Sequence, residues 1–437
     1  MRIALIYANE KNHGFPPLGI ASLAAVIRKN IPDVEIKLFD KIPDGKFQGE
    51  AFDIIGISSI TLCFSMAHKF CTELREKYKG IIVLGGIHFT LHKKLPLWAD
   101  VGVIGEGEIT FMELVQVYLS GCFKPAELSN IDGIAIRDGN DIVFTKPRKL
   151  IDDIDELPFP ARDLLGMDEY LKDNNAFGTK IGRGLSLVTS RGCSYDCPFC
   201  AATRIWKKTR YFSARHVVDE IKQLIELYKV ELIYIADDNF CAKKTRLYEI
   251  ANLIEEENIK IDFGVSGRIE FYTPEIRDLF RRIGVKFISF GFETGSDRLL
   301  KMIKHGSGLN VEETIGRAKQ VITDGFEIQG LFMLNLPYET MEELDMTVKM
   351  IYDIPMTKLG LTVATPFYGT KWWEIALEQK IVPQKPNWDF WERCNVSVLD
   401  NNSILFKNDI SFEYLIKIYN ELMEYRKKLF YFDWENR

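Results

Sequence analysis

Apolar positions in the first 120 residues come in short unbroken runs, not in alternation. RIALIYA (2–8), VEIKLFD (34–40), DIIGISSIT (53–61), IIVLGGIH (81–88) and VGVIGEG (101–107) are such runs. Between or after them lie GIASLAAVIRKN (19–30), SMAHKFCTELREKY (65–78) and TFMELVQVYLSG (110–121), whose apolar positions recur at helical spacing. A strand that is apolar at every position is covered on both faces, and intervening helices supply the cover. The pattern predicts an α/β chain that opens with a doubly wound, Rossmann-like domain over 1–145. Ligands of such sheets bind beyond the carboxyl ends of the strands, which marks the turns 8–14, 58–61, 85–90 and 105–108. GEGEIT supplies two glycines at G-x-G spacing but no third, so it is not a dinucleotide fingerprint.

Near residue 131 the pattern changes to two strands about an Asp138-Gly139 turn, followed by the proline-containing connector IDDIDELPFPARDLLG. A linker is expected over 146–184. From Leu185 a second alternation begins. Strands LSLVTS, LIYIA, IDFGVS, FISFGF, IQGLFML and LGLTVA alternate with helices over 215–229, 243–257, 273–283, 297–304 with 311–324, 341–353 and 371–380. Six βα units in series predict a partial (β/α)6 barrel over 185–380. Residues 381–437 read as a small helical, aromatic-rich extension. Its Trp388, Phe390, Trp391 and Phe406 are expected in a core, and its last helix carries apolar positions 412, 415, 416, 419, 422 and 423.

Composition narrows the function classes. The chain has 437 residues, 46% hydrophobic and 27% charged, enough for two or three cored domains. A net charge of −6 without a long Lys/Arg block gives no nucleic-acid footprint. The opening apolar run is too short for a signal peptide, and no apolar stretch of about 18 residues is present to span a bilayer. Eight cysteines, three clustered and five scattered, do not form a secreted disulfide framework. A soluble, cytoplasmic protein in a reducing compartment is expected.

The clustered three stand in SRGCSYDCPFC: Cys193, Cys197 and Cys200, at the carboxyl end of the first barrel strand, where α/β barrels place their active sites. Three soft thiolates at C-x3-C-x2-C spacing suit a [4Fe–4S] cube, with Gly192 and Pro198 shaping the loop. One iron then lacks a cysteine, and an open metal position can take a substrate or cofactor. The residues alone leave open a zinc site completed by a distant His or Cys.

This loop, followed by YIADDNF, GVSGRIE, GFETGS, LNLPYET and ATPFYGT, resembles the radical SAM superfamily over the whole second domain. The resemblance implies that Cys193, Cys197 and Cys200 bind the cluster, and that the amino and carboxylate groups of S-adenosylmethionine chelate its unique iron. Carried onto this sequence, Glu293 is a candidate contact to the ribose or amine of that cofactor and Arg268 to its carboxylate, the alternative for each being an ion pair. Asp237, Asp238 and Ser296 are further candidates, the two aspartates as ligand contacts or helix N-caps. Arg210 and Arg215 flank a family-like YFS, where Ser213 also has the look of an N-cap.

PPLGIASLAAVIR, GISSIT, LGGIHFT, GEGEITFMELV and LPFPARDLL resemble the B12-binding domain of the cobalamin-dependent class. That likeness makes Ser58, Ser59, Thr61, Gly85, Gly86, His88, Gly105 and Glu106 candidate cobalamin contacts. Histidine-ligating domains carry D-x-H-x-x-G after the first strand; here Lys11 and Pro16 replace the Asp and Gly around His13, so cobalamin is expected without a protein histidine ligand.

The family chemistry begins with an external one-electron reductant of the flavodoxin or ferredoxin type and yields a 5′-deoxyadenosyl radical. It implies cobalamin-dependent C-methylation of a small-molecule metabolite, with P-methylation allied to it. Alternatives on the same domains are cobalamin-assisted rearrangement or cyclisation and corrinoid-free transfer of a 3-amino-3-carboxypropyl group. A methylthiotransferase acting on RNA calls for a second cluster and a basic tail, for which there is no pattern. A different class of reading is a non-enzymatic iron–sulfur or corrinoid carrier or redox sensor; the barrel motifs beyond the cysteines argue against it.

Overall fold

The computed structural model describes residues 1–9, 15–44, 47–172, 183–206, 208–304, 308–393 and 398–430. His13, Gly14 and Cys394 lie outside them. The chain forms two compact units, residues 1–173 with 386–392 and residues 174–385 with 393–437.

In the first unit, β1 (Arg2–Tyr7), β2 (Glu35–Phe39), β3 (Ile54–Ser58), β4 (Ile81–Gly85), β5 (Val101–Val103), β6 (Ile134–Asp138) and β7 (Asp141–Phe144) form one sheet in the order β2-β1-β3-β4-β5-β6-β7. The first five strands are parallel, and the hairpin β6–β7 closes the edge antiparallel. This is the doubly wound order whose switch point lies between β1 and β3. The register pairs Ile3 with Ile54 and Ile6 with Ile57, and these residues are fully or almost fully buried. Helices α1 (Leu18–Asn30), α2 (Phe64–Lys77), α3 (Ile87–His92), α4 (Glu108–Leu119), α5 (Pro125–Leu128) and α6 (Met167–Lys172) complete the unit. The short α3 lies in a stretch the pattern assigned to a turn; its apolar and polar residues span too few turns to show a period.

The second unit holds β8 (Gly184–Leu187), the two-residue strands β9 (Ser190–Arg191) and β10 (Arg210–Tyr211), then β11 (Leu232–Ile235), β12 (Asp262–Gly267), β13 (Val285–Glu293), β14 (Glu327–Leu334) and β15 (Lys358–Val363). Six of them run parallel in chain order, β8-β11-β12-β13-β14-β15, as a half-barrel sheet. Its helices are α7 (Ala202–Ile205), α8 (Ala214–Tyr228), α9 (Lys244–Glu256), α10 (Pro274–Ile283), α11 (Asp297–Ile303), α12 (Val311–Thr323), α13 (Met341–Asp353), α14 (Lys371–Glu378) and α15 (Phe412–Phe430).

Local chemistry sets these helices. In α10, Thr273 caps the first turn by accepting from the Ile276 N–H, Pro274 follows at the first position, and Gly284 at φ 94° ends the helix in the left-handed region. Ile276, Leu279, Phe280 and Ile283 form its buried stripe, each worth about 1.5–3 kcal/mol of burial. Helices α12 and α13 both open with capping boxes, Asn310 with Glu313 and Thr340 with Glu343.

Candidate active site

Strand β8 delivers the chain to the cysteine loop, and the antiparallel pair β9–β10 closes the loop at its base. Gly192 sits at φ 93°, and a Cβ there would stand 2.8 Å from Lys208 O and Trp206 Cβ, so only glycine fits. The Cys200 N–H donates to Cys197 O at 3.0 Å, tightening the second half of the loop. Helix α14 pins it from outside: the Trp372 N–H donates to Pro198 O, Trp372 packs on Phe199, and Lys371 pairs with Asp196 at 3.0 Å.

Beneath the loop lies a buried brace. The Asp237 carboxylate accepts from the N–H and hydroxyl of both Thr189 and Ser190, at 2.5 to 3.0 Å. Arg246, also buried, donates to Thr189 O and Phe212 O on either side of the loop's base. Burial pushes the Asp237 carboxyl up, against Arg246 and the four donated bonds. Asp237 therefore shapes the loop from within, and neither aspartate caps a helix; Asn239 and Lys243 hold the cap positions. Asp238 accepts from the Gly192 backbone, and burial followed by the Asp237 charge raises its pKa. Its own charge in turn raises Cys193 and Cys200.

All three cysteines are half-buried. Burial raises each thiol, Cys197 to about 11, where Arg268 pulls down and Cys200 and Cys193 push up. Backbone N–H groups of 194 and 195 reach Cys193, and those of 202 and 203 reach Cys200. Soft thiolates from one loop, with amide donors and a nearby guanidinium, fit an iron–sulfur cluster, because coordination deprotonates thiols that burial otherwise keeps protonated. Among the described residues no three His, Cys, Asp or Glu side chains are drawn around one point as for a single metal ion.

Arg268 follows β12. One of its N–H groups donates to Glu270 at 2.8 Å, and its Nε is buried without a hydrogen-bond partner. Glu293 ends β13 at φ 71°, next to a register shift in the β13–β14 pairing. It keeps part of its surface open, yet its carboxyl is crowded by protein; burial raises it to about 7, with Lys304 and Arg268 pulling the other way. Ser296 is committed to structure: it caps α11 through the Leu299 N–H and donates to Glu343 at 2.7 Å. A Cβ at Gly295 would stand 2.3 Å from Met346 O, so this glycine admits the close approach of α13. Ser213 caps α8, and exposed Arg215 pairs with Asp219 and Glu257.

In the first unit the candidates gather at the ends of β3, β4 and β5 and divide in two. Ser58, Ser59, Gly85, Gly86 and Gly105 form the strand-end backbone. At Gly86, φ 91°, a Cβ would meet Ser59 O at 2.6 Å; at Gly105, φ 85°, it would meet nothing within 4 Å. Thr61, His88 and Glu106 instead turn into the protein. His88 Nδ1 lies 3.3 Å from Thr61 Oγ1, its ring stacks on Phe64 at 3.9 Å, and Trp391 meets it edge-on at 4.9 Å. Burial, then His92, holds the His88 pKa well below 6.5, so the ring is neutral. Glu106 accepts from the Ile151 N–H at 2.9 Å and anchors the connector. The packing of Trp388 and Trp391 against this strand end had no signal in the sequence beyond their aromatic character.

Comparison with known proteins follows this division. The radical SAM superfamily matches residues 187–351, and the B12 binding domain matches residues 6–115. "Uncharacterized methyltransferase PH0819" of Pyrococcus horikoshii is 30% identical over 384 residues, spanning 84% of this chain and 80% of that protein. The chain belongs to the radical SAM superfamily, with a B12-binding domain. A [4Fe–4S] cluster and S-adenosylmethionine come with that membership, and cobalamin with the B12-binding domain. The anaerobic magnesium-protoporphyrin IX monomethyl ester cyclase of Rubrivivax gelatinosus is 27% identical, covering 84% of this chain and 68% of the cyclase. The structure of the radical S-adenosylmethionine methyltransferase TsrM from Kitasatospora setae, with cobalamin and a [4Fe–4S] cluster bound, shares the fold at TM-score 0.70 and 18% identity, covering 88% of this chain and 76% of that one. Among the described residues no helix is long and apolar enough to cross a membrane.

Proposed function

We propose that the protein is a cobalamin-dependent radical S-adenosylmethionine methyltransferase that methylates a carbon of a small-molecule metabolite. The observation that carries the reading is the three-cysteine loop at the end of β8, braced by Asp237 from the end of β11, in a chain with a methyltransferase relative over 84% of its length. When bound, the cluster and cobalamin supply the electron and the methyl carrier that such a reaction needs.

The chain's own residues have distinct parts. Cys193, Cys197 and Cys200 hold the cluster, and Asp237 with Arg246 keeps the loop that presents them in shape. Glu293, whose carboxyl burial raises to about 7, would accept a cationic amine of S-adenosylmethionine. Asp238 contributes negative charge beside the sulfurs, and the planar guanidinium of Arg268, with its Nε unpartnered, suits a carboxylate. In the B12-binding domain, Ser58, Gly85, Gly86 and Gly105 offer the contact surface, while Ser59 is buried beneath them. His88 stays neutral within its aromatic packing, and cobalamin would be held there without a histidine of this chain. An external reductant of the flavodoxin or ferredoxin class delivers single electrons.

The Rubrivivax cyclase favours a second reading, a cobalamin-assisted cyclisation with no net methyl transfer. One experiment separates the two. Protein loaded anaerobically with cluster, cob(I)alamin and S-adenosylmethionine should release S-adenosylhomocysteine in about one equivalent per corrinoid without any substrate. Corrinoid bound with no S-adenosylhomocysteine formed would contradict the methyltransferase and leave the cyclase.

A further inference from the structure

The cysteine loop carries a contact that the cofactor reading of Arg268 leaves unused. Tyr195 is the middle residue of the spacer between Cys193 and Cys197, and the Arg268 guanidinium carbon stands 3.7 Å from the centroid of its ring. Phe271 meets the same ring edge-on at 6.2 Å, from the turn that carries Glu270. A cation so close to an aromatic face, and largely desolvated, is a strong form of this contact. Arg268 is itself held: Glu270 accepts from it at 2.8 Å, and Lys304 stands 4.0 Å from the other Glu270 oxygen. All three side chains are at most 13% exposed. Lys304 also donates to Gly291 O at the end of β13. Burial works against the Glu270 charge, yet Lys304 and Arg268 hold its carboxyl at about 2, so it is an anion at neutral pH.

We propose that Tyr195, Arg268, Glu270 and Lys304 form a strut that holds the iron–sulfur loop in its binding shape, with Arg268 as the positioning residue. The ring contact favours this role, because it fixes the three-residue spacer whose conformation sets the separation of Cys193 from Cys197. Glu270 keeps the guanidinium from rotating off the ring, and Lys304 ties Glu270 to β13. The proposal rests on the reading that the three cysteines hold a [4Fe–4S] cluster.

The test uses the full chain, reconstituted anaerobically, and reads the rate of iron loss to a chelator, the electron paramagnetic resonance spectrum of the reduced cluster, and S-adenosylmethionine affinity. Tyr195→Leu leaves Arg268 in place and should speed iron loss about tenfold. Tyr195→Phe keeps the ring and should restore the wild-type rate. Glu270→Gln should speed iron loss by a similar factor, and the Tyr195→Leu/Glu270→Gln double variant should be no worse than the poorer single. Circular dichroism of each apoprotein shows that the fold persists. Wild-type iron retention and spectrum in Tyr195→Leu would overturn the strut alone. So would an Arg268→Gln variant that loses S-adenosylmethionine affinity at unchanged iron retention, since Arg268 then touches only the cofactor. Wild-type protein that takes up no cluster would overturn both the strut and the reading beneath it.

Discussion

Both units present functional loops at the carboxyl ends of parallel strands, but they stabilise them by opposite means. In the half-barrel unit, a buried carboxylate with four donated hydrogen bonds, a buried arginine and the Arg268–Glu270–Lys304 group surround the cysteine loop. In the B12-binding unit, the strand ends rest on glycine backbone and on neutral rings, with His88 between Phe64 and Trp391. A loop that presents anionic sulfurs needs fixed charge and donors. A strand end built of backbone and neutral rings can rely on shape and packing. Charge networks resist single deletions poorly, because each removal strands a buried partner; aromatic packing yields more gradually.

The largest expected contrast lies in the loop itself. Cys193→Ala, Cys197→Ala and Cys200→Ala should each bring cluster-dependent turnover to background, whereas Ser58→Ala in the other unit should leave iron content unchanged; iron and sulfide assays check both. Next comes Asp237→Ala, which strands Arg246 and the donors of Thr189 and Ser190. It should destabilise the half-barrel unit by about 3–5 kcal/mol in urea unfolding of the apoprotein. His88→Phe keeps the stacking and loses one hydrogen bond, so it should cost the B12-binding unit about 1 kcal/mol in the same assay. A cost as large as that of Asp237→Ala would show that the two units are not stabilised by different means.

The smallest effect is a divergence with pH. His88 is held well below 6.5 and His92 near 4, so in the B12-binding unit the unfolded state binds more protons as pH falls below 6.5. Stability from these rings is present above that pH and is lost on acidification. Glu293 behaves oppositely: its folded-state carboxyl is raised from 4.5 to about 7, so its contribution is full below 4.5 and is lost as pH rises through 7. Hydrogen exchange on the apoprotein between pH 7 and 5 should show β4 and α3 loosening while β13 tightens. Glu293→Gln should remove the second trend.

Much of this was legible in the chain. The unbroken apolar runs marked the central strands, and helix stripes such as Ile276, Leu279, Phe280 and Ile283 follow from local periodicity with Thr273 and Gly284 as punctuation. SRGCSYDCPFC carried its chemistry in one contiguous stretch. The supports did not show, because they join residues far apart in sequence. Asp237 meets Thr189 across 48 positions, and Lys304 reaches Glu270 from another element. Trp391 meets His88 from the far end of the chain. No spacing rule links such pairs. Ser296 drew attention through its motif, yet its hydroxyl serves a helix start and Glu343.

The central claim is that the three cysteines hold a cluster that acts on S-adenosylmethionine. It is tested most directly by assaying 5′-deoxyadenosine in cluster- and corrinoid-loaded protein supplied with S-adenosylmethionine and a one-electron reductant. Reductant-dependent 5′-deoxyadenosine that disappears in Cys197→Ala is expected. An intact cluster and bound S-adenosylmethionine that yield none would contradict it.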